Sequence, residues 1–137
     1  MAHRTWPDRL GMIMALACGL HCASLTAIFL LYPALWMKRA YWEAGLWHKL
    51  MWLEWSLLAM TWLVLVGAML AGWLRHRNPG PGILAVLAAG LLTALIASPL
   101  HFSGRWTALA AVAAGMLVAG AHWWNLRLGR CGHSESL

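Results

Sequence analysis

The chain has 137 residues, enough for one compact domain, and 62% of them are hydrophobic while only 10% are charged. The mean hydropathy is +0.66. This composition excludes an ordinary water-soluble globule and a disordered acidic tail, because too few charges remain to cover a soluble surface. Ten Lys and Arg residues against four Asp and Glu residues give a formal net charge of +6. Since the basic residues lie between apolar runs, they indicate membrane topology and lipid contacts and not nucleic-acid binding.

Four apolar stretches divide the chain, each long enough to cross a hydrocarbon layer of about 30 Å. The sequence predicts spans over 10–36, 46–74, 82–102 and 106–128, followed by a polar tail over 129–137. We therefore expect a single all-α domain, an integral membrane four-helix bundle with antiparallel helices and both termini on the same side of the bilayer.

The connections and one stripe of small residues support this arrangement. Residues 75–82 read RHRNPGPG, a helix-breaking hinge between the second and third spans. The turn over 103–105 is so short that the third and fourth helices are expected to be antiparallel neighbours. In the fourth span, Ala111, Gly115 and Ala119 recur every four residues. This spacing predicts a smooth face on which another helix can pack closely.

The distribution of basic residues predicts that both termini are cytoplasmic. Six Lys and Arg residues fall at the termini and in the hinge, against four in the other connections (Arg4, Arg9, Arg75, Arg77, Arg127 and Arg130 against Lys38, Arg39, Lys49 and Arg105). The first apolar run continues well past Cys18 to Trp36, which is longer than the core of a signal peptide. We therefore interpret it as a span and not as a cleaved leader.

Three side chains of the first span form the strongest candidate site. Cys18, His21 and Cys22 stand at i, i+3 and i+4, so a helix projects all three from one face. Two thiols and an imidazole suit soft ions such as Hg(II), Cu(I) or Zn(II) and do not suit Mg(II) or Ca(II). Cys22 lies roughly 18 Å along the helix from Leu10, near mid-membrane, where polar groups are usually functional. The alternatives are cysteines that pack as small hydrophobic residues, or a disulfide that helical geometry disfavours.

Glu54 is a second unusual residue, because it is an acidic side chain well inside the second span. Counted inward from the far surface, its depth is comparable with that of Cys22, so it can lie beside the thiols. Alternatively, it reaches the interface or pairs with Lys49 or His48. The sequence leaves both interpretations open.

The remaining candidates lie towards the ends of the spans. In the tail, Cys131 is followed by His133, a pair that can accept or donate a soft ion, or that belongs to an ordinary flexible tail. His48 and His101 are the pair best matched in depth for a bis-histidine haem, which we consider disfavoured. His122 is expected near the cytoplasmic end of its span, too shallow to indicate a site.

With these residues in view, the chain resembles the MerC family of small four-helix bacterial inner-membrane proteins, some of which carry mercuric ions. Two motifs near the start carry the resemblance, 8–11 (DRLG) and 18–22 (CGLHC), which are similar to the D-R-x-G and C-x-x-H-C motifs of MerC-like domains. Near the end, Gly120-Ala121-His122 with Asn125 and Arg127 is similar to the family's G-H-x-x-N-x-R stretch. The resemblance implies an inner-membrane location with cytoplasmic termini.

These observations together favour a membrane protein that binds and transports a thiophilic metal ion, mercuric ion or a similar one, by exchange between thiolates. Its expected metal ligands are Cys18, His21, Cys22 and, as a later acceptor, Cys131. We expect no enzymatic activity and no permanently bound cofactor. The expected partners are the lipid bilayer, the transient ion and a cytosolic or periplasmic thiol carrier, with no nucleic acid. A membrane scaffold or accessory subunit, whose cysteines and histidines only pack, is the alternative.

Overall fold

The computed structural model describes residues 6–34, 38, 44–98 and 105–131, and for 44, 46, 47, 130 and 131 the description extends to the backbone only. Four long helices make up nearly all of this part of the chain, which contains no β-strand: α1 (Trp6–Leu31), α2 (Ala44–His76), α3 (Gly80–Ala97) and α4 (Arg105–Cys131). The prediction of an all-α fold with four helices is therefore confirmed.

All four helices are long and apolar enough to cross a membrane. Their outer surfaces carry large apolar side chains, among them Leu20, Leu63 and Trp52, each about two-thirds exposed. Several polar side chains are instead buried between the helices (Asp8, Thr26, Glu54, Thr61, His122 and Asn125). An apolar exterior around polar interior groups is the distribution expected when lipid, and not water, surrounds the bundle.

The ends of the helices follow from local sequence. α1 ends at Leu31, shortly before Pro33, since proline disfavours helical backbone in the residue that precedes it. α2 is followed by Arg77 in the left-handed region at φ 58°, a common way for a helix to end. The Asn78 side-chain oxygen then accepts the backbone N–H of Gly80 at 2.9 Å, and Pro81 stands in the first turn of α3. α4 continues to Cys131, three residues into the segment predicted as a polar tail.

α1 and α4 approach each other most closely where both have small residues. A Cβ added to Gly115 would lie 2.8 Å from the Ala15 carbonyl oxygen, and one added to Gly19 would lie 3.1 Å from that of Ala111. Because glycine has no Cβ, the two backbones can touch at these points. Ala111 and Gly115, two members of the predicted small-residue stripe, are thus buried against α1.

Contacts along the helix pairs follow an order expected of antiparallel neighbours. Asp8 at the start of α1 contacts His122 near the end of α4, whereas Gly19, further along α1, faces Ala111 near the start of α4. Between α2 and α3, the indole Nε1–H of Trp62 donates to the Thr93 hydroxyl at 3.0 Å. These contacts bring the start of α1 and the end of α4 to the same end of the molecule.

Candidate functional site

Cys18 and Cys22 occupy the interior of the bundle, one helical turn apart on α1. Their exposed fractions are 1% and 0%, and both are free thiols. They pack in one cluster with side chains from each of the other three helices (Leu58 of α2, Leu92 and Ile96 of α3, Ala111 and Ala114 of α4). The i, i+4 spacing thus places both thiols on the buried face of α1, as the sequence predicts.

Glu54 of α2 lies directly beside the thiols. The Cys22 Sγ–H donates to its Oε1 at 3.3 Å, and the carboxyl side chain is only 1% exposed. Of the two interpretations that the sequence left open, the one in which Glu54 reaches the membrane interface is therefore wrong. The hydroxyl of Thr26, one turn further along α1, donates to the Cys22 carbonyl oxygen at 2.9 Å. The polar hydrogen of this buried threonine is therefore hydrogen-bonded within α1. We call Cys18, Cys22 and Glu54 the thiol centre.

His21 lies on the flank of this site and not in its middle. It is half-buried, and its Nε2 atom is enclosed without a hydrogen-bond partner among the described residues. Within the described part of the chain, no group of three or more His, Cys, Asp and Glu side chains is arranged to hold a metal ion. The thiol centre is therefore not a closed multi-ligand cage, and its chemistry is that of two adjacent thiols with a carboxyl group.

Cys131 does not join the other two cysteines. It is the last residue of α4, 17 residues beyond Ala114, which packs at the level of the thiols. At 1.5 Å per residue this is a distance of roughly 25 Å along the helix. The side chain of Cys131, and residues 132 and 133 with the predicted His133 partner, lie outside the described side chains. Of the pair considered for haem, His48 is exposed and His101 falls outside the described residues.

A second buried group of polar residues was not predicted as a site. Asp8 of α1 accepts two hydrogen bonds on Oδ1, one with Nδ1 of His122 at 3.1 Å and one from Nδ2 of Asn125 at 2.9 Å. The Asn125 oxygen contacts Nε2 of His76 at 2.8 Å, and Asn125 Nδ2 also donates to the Ala68 carbonyl oxygen at 3.3 Å. We call Asp8, His76, His122 and Asn125 the terminal polar network.

The terminal polar network joins the start of α1 to the ends of α2 and α4. The expectation that His122 is not deeply buried is wrong, since this side chain is fully enclosed (0% exposed). A Cβ added to Gly11 would overlap the His122 ring, so glycine at this position makes room for the imidazole. Three of these residues, Asp8, His122 and Asn125, belong to the two flanking motifs singled out in the sequence, and their polar character inside apolar helices was the available signal.

The geometry thus defines a small multi-pass membrane protein that encloses a dithiol beside a carboxyl group, with a separate polar network closing one end. The family model described as MerC mercury resistance protein matches residues 8–127, and the chain belongs to this family. The matched region begins at Asp8 and ends at Arg127, so it includes both the thiol centre and the terminal polar network. Neither the curated proteins nor the solved structures include a significant match.

Proposed function

We propose that this protein binds a soft metal ion, foremost Hg(II), at Cys18 and Cys22 and carries it through the bacterial inner membrane by exchange between thiolates. The observation that supports this most directly is the pair of free, buried thiols beside Glu54 at the centre of four membrane-crossing helices. Membership of a mercury resistance family makes Hg(II) the first ion to test.

The chemistry of the thiol centre suits an ion that needs few ligands. Thiolate sulfur is the preferred protein ligand of soft ions, and linear coordination by two thiolates is common for Hg(II). One Hg(II) and two thiolates form a neutral unit, which avoids placing a net charge inside the bundle. Formation of this unit from Hg(II) and two thiols releases two protons.

Glu54 is the proposed acceptor of one of these protons. Its Oε1 already accepts the Cys22 thiol hydrogen bond at 3.3 Å, so the proton has a short path from sulfur to oxygen. His21, half-buried one turn from Cys18, is the proposed acceptor for the second. With Glu54 in contact with Cys22 and His21 on the flank of the site, the thiols can become thiolates without water entering the core.

The rest of the cycle is a relay between thiols. The ion is proposed to enter from the periplasmic side, bind at the thiol centre and leave to Cys131 or to a cytosolic thiol carrier. This direction assumes cytoplasmic termini, as the count of basic residues favours. Cys131 is too far along α4 to share the ion with Cys22, so it would act only as a later acceptor. The cycle exchanges ligands, and it needs neither an enzymatic reaction nor a resident cofactor.

The proposal is tested by Hg(II) binding to the purified protein in nanodiscs. We expect one ion per chain that resists competition by monothiols, and we expect Cys18→Ser/Cys22→Ser to lose it while remaining helical. Cys131→Ser is the matched control, because it removes a thiol roughly 25 Å along α4 from the level of the thiol centre and should leave this ion bound. Undiminished binding in the double variant would overturn the proposal, and copurification with a larger complex in place of binding would favour the scaffold alternative.

A further inference from the structure

The Asp8–His122 pair is a buried ionisable pair that the proposed ion relay does not use. Asp8 precedes Cys22 by 14 residues on α1, which is roughly 21 Å along the helix. Both side chains are almost fully enclosed, with exposed fractions of 3% and 0%. Buried ionisable groups in membrane bundles are costly and usually functional, so this pair needs an explanation of its own.

The hydrogen bonds of the terminal polar network have a definite direction that ends on Asp8. The backbone N–H of Asn78 can only donate, so Nδ1 of His76 is an acceptor at 3.2 Å and the His76 proton resides on Nε2. This Nε2–H donates to the Asn125 oxygen, which in turn directs the Asn125 NH₂ group to Asp8 Oδ1. Asp8 Oδ1 is therefore the acceptor at the end of this relay of donors.

Only one of the two ring nitrogens of His122 has a hydrogen-bond partner among the described residues. Because Asp8 Oδ1 is an acceptor, Nδ1 of His122 carries a hydrogen and donates to it. Nε2 of the same ring is buried and has no hydrogen-bond partner among the described residues. Without a proton on Nε2, the pair carries one negative charge, whereas with a proton it becomes a neutral ion pair.

A cavity borders Asp8, one member of this pair. It has a volume of about 410 Å³ and lies between α1 and the end of α2 (lined by Pro7, Asp8, Ala68, Ala71, Leu74 and Arg75). Since a water molecule occupies roughly 30 Å³, the cavity has room for several of them. Protons can therefore reach the Asp8 carboxylate from the solvent at this end of the molecule.

Few other charges face the pair. α2 contributes Arg75, which lines the cavity, and His76, which acts through Asn125. α1 carries Arg9 next to Asp8, with its side chain exposed. α3 has no ionisable side chain in its sequence, and among the described side chains α4 contributes His122 itself. Arg127 is exposed, and its guanidinium stacks on the Trp123 ring at 4.0 Å. The charge on the pair is therefore set mainly by whether His122 is protonated.

We propose that the Asp8–His122 pair is a proton-binding site that takes up and releases one proton through this cavity. Its coupling to ion movement rests on the proposed function, in which loading of the thiol centre releases two protons. A proton site on the same helix as the two thiols would let a pH gradient bias the transport of the ion. The proton site itself can be tested without any metal.

The test is a pH titration of protein labelled with ¹⁵N in its histidines, in nanodiscs, from about pH 5 to about pH 8. We expect one of the titrating imidazole signals to vanish in His122→Asn, whose side-chain NH₂ can replace Nδ1–H at Asp8. His122→Gln provides a second variant should the first not fold, with helicity measured for both. Asp8→Asn should alter the pH response of this signal, because it removes the carboxylate oxygen to which Nδ1–H donates.

His76→Gln is the matched control, since glutamine keeps a donor for Asn125 and both ring nitrogens of His76 are already hydrogen-bonded. It should leave the titrating signal in place. If folded His122 variants lose no titrating signal, or if Asp8→Asn leaves the His122 signal unchanged, the proton site is overturned.

Hg(II) uptake into proteoliposomes separates this inference from the proposed function. We expect wild-type uptake to differ several-fold between opposite pH gradients, and the difference to disappear in Asp8→Asn. Equal Hg(II) uptake under both pH gradients would overturn the coupling between the proton site and ion transport. Absence of uptake in wild type would instead overturn the transport proposal, while the titration would still decide the proton site.

Discussion

The thiol centre and the terminal polar network are both buried polar groups in an apolar bundle, but they are built differently. The two thiols stand on one helix and are surrounded mainly by apolar side chains of the other three, with one hydrogen bond across to Glu54. The network instead links α1, α2 and α4 through several hydrogen bonds. The comparison indicates that a change at the thiol centre should disturb the bundle less than a change in the network, which links the ends of three helices.

The largest effect is expected from Asp8→Ala. This change removes the acceptor of two buried donors and leaves His122 and Asn125 unsatisfied, which should lower the free energy of unfolding by about 3 kcal/mol. The measurement is unfolding of the detergent-solubilised protein by a graded denaturing detergent. Cys22→Ser should cost much less. If Cys22→Ser were the more damaging of the two, the assignment of the network as the structural region would be wrong.

Gly11→Ala should give the next largest effect, through overpacking of the same network. The new methyl group would overlap the His122 ring, so the imidazole or α1 must move, at a cost of about 2 kcal/mol. Gly120→Ala is the matched control, because a Cβ there would meet no described atom within 4 Å. Equal midpoints for the two variants in the same unfolding assay would contradict the close contact between Gly11 and His122.

Glu54→Gln tests the thiol centre with almost no change in shape. The amide keeps an acceptor for the Cys22 thiol but cannot take up its proton, so we expect Hg(II) affinity to fall by about tenfold. The midpoint of unfolding should hardly change. The affinity is measured by competition with a thiol ligand at constant pH. An unchanged affinity would remove Glu54 from the proposed mechanism.

The thiol centre was predictable from the sequence because its two cysteines are only four residues apart on one helix. An i, i+4 spacing alone places Cys18 and Cys22 on one face, and counting residues from the span ends brought Glu54 to a similar depth. What could not be read was whether Glu54 turns inward, because this depends on how α2 rotates about its own axis. The family match confirms the resemblance found from the motifs, but not the roles of individual residues.

The terminal polar network was not predictable in the same way. Asp8 and His122 are 114 positions apart, and their contact depends on the packing of α1 against α4. Depth counting placed His122 near a helix end, which for a side chain on the lipid-facing surface would mean exposure. Gly11 reverses this outcome by making room for the ring inside the bundle. The fit between the glycine at position 11 and the His122 ring, which is far away in the chain, produces no periodic pattern in the sequence.

The smallest effect is expected at the link between α2 and α3, where a single side-chain hydrogen bond is described. Thr93→Val removes the hydroxyl that accepts the Trp62 indole N–H and should lower the free energy of unfolding by about 0.6 kcal/mol, a typical value between membrane helices. Thr61→Val is the matched control, because the Thr61 hydroxyl donates only within α2, to the Leu57 carbonyl oxygen at 2.8 Å. A double-mutant cycle with Trp62→Phe isolates the bond from the packing of the indole. A coupling as large as the stability loss expected for Asp8→Ala would mean that a single hydrogen bond stabilises this bundle as strongly as the terminal polar network does.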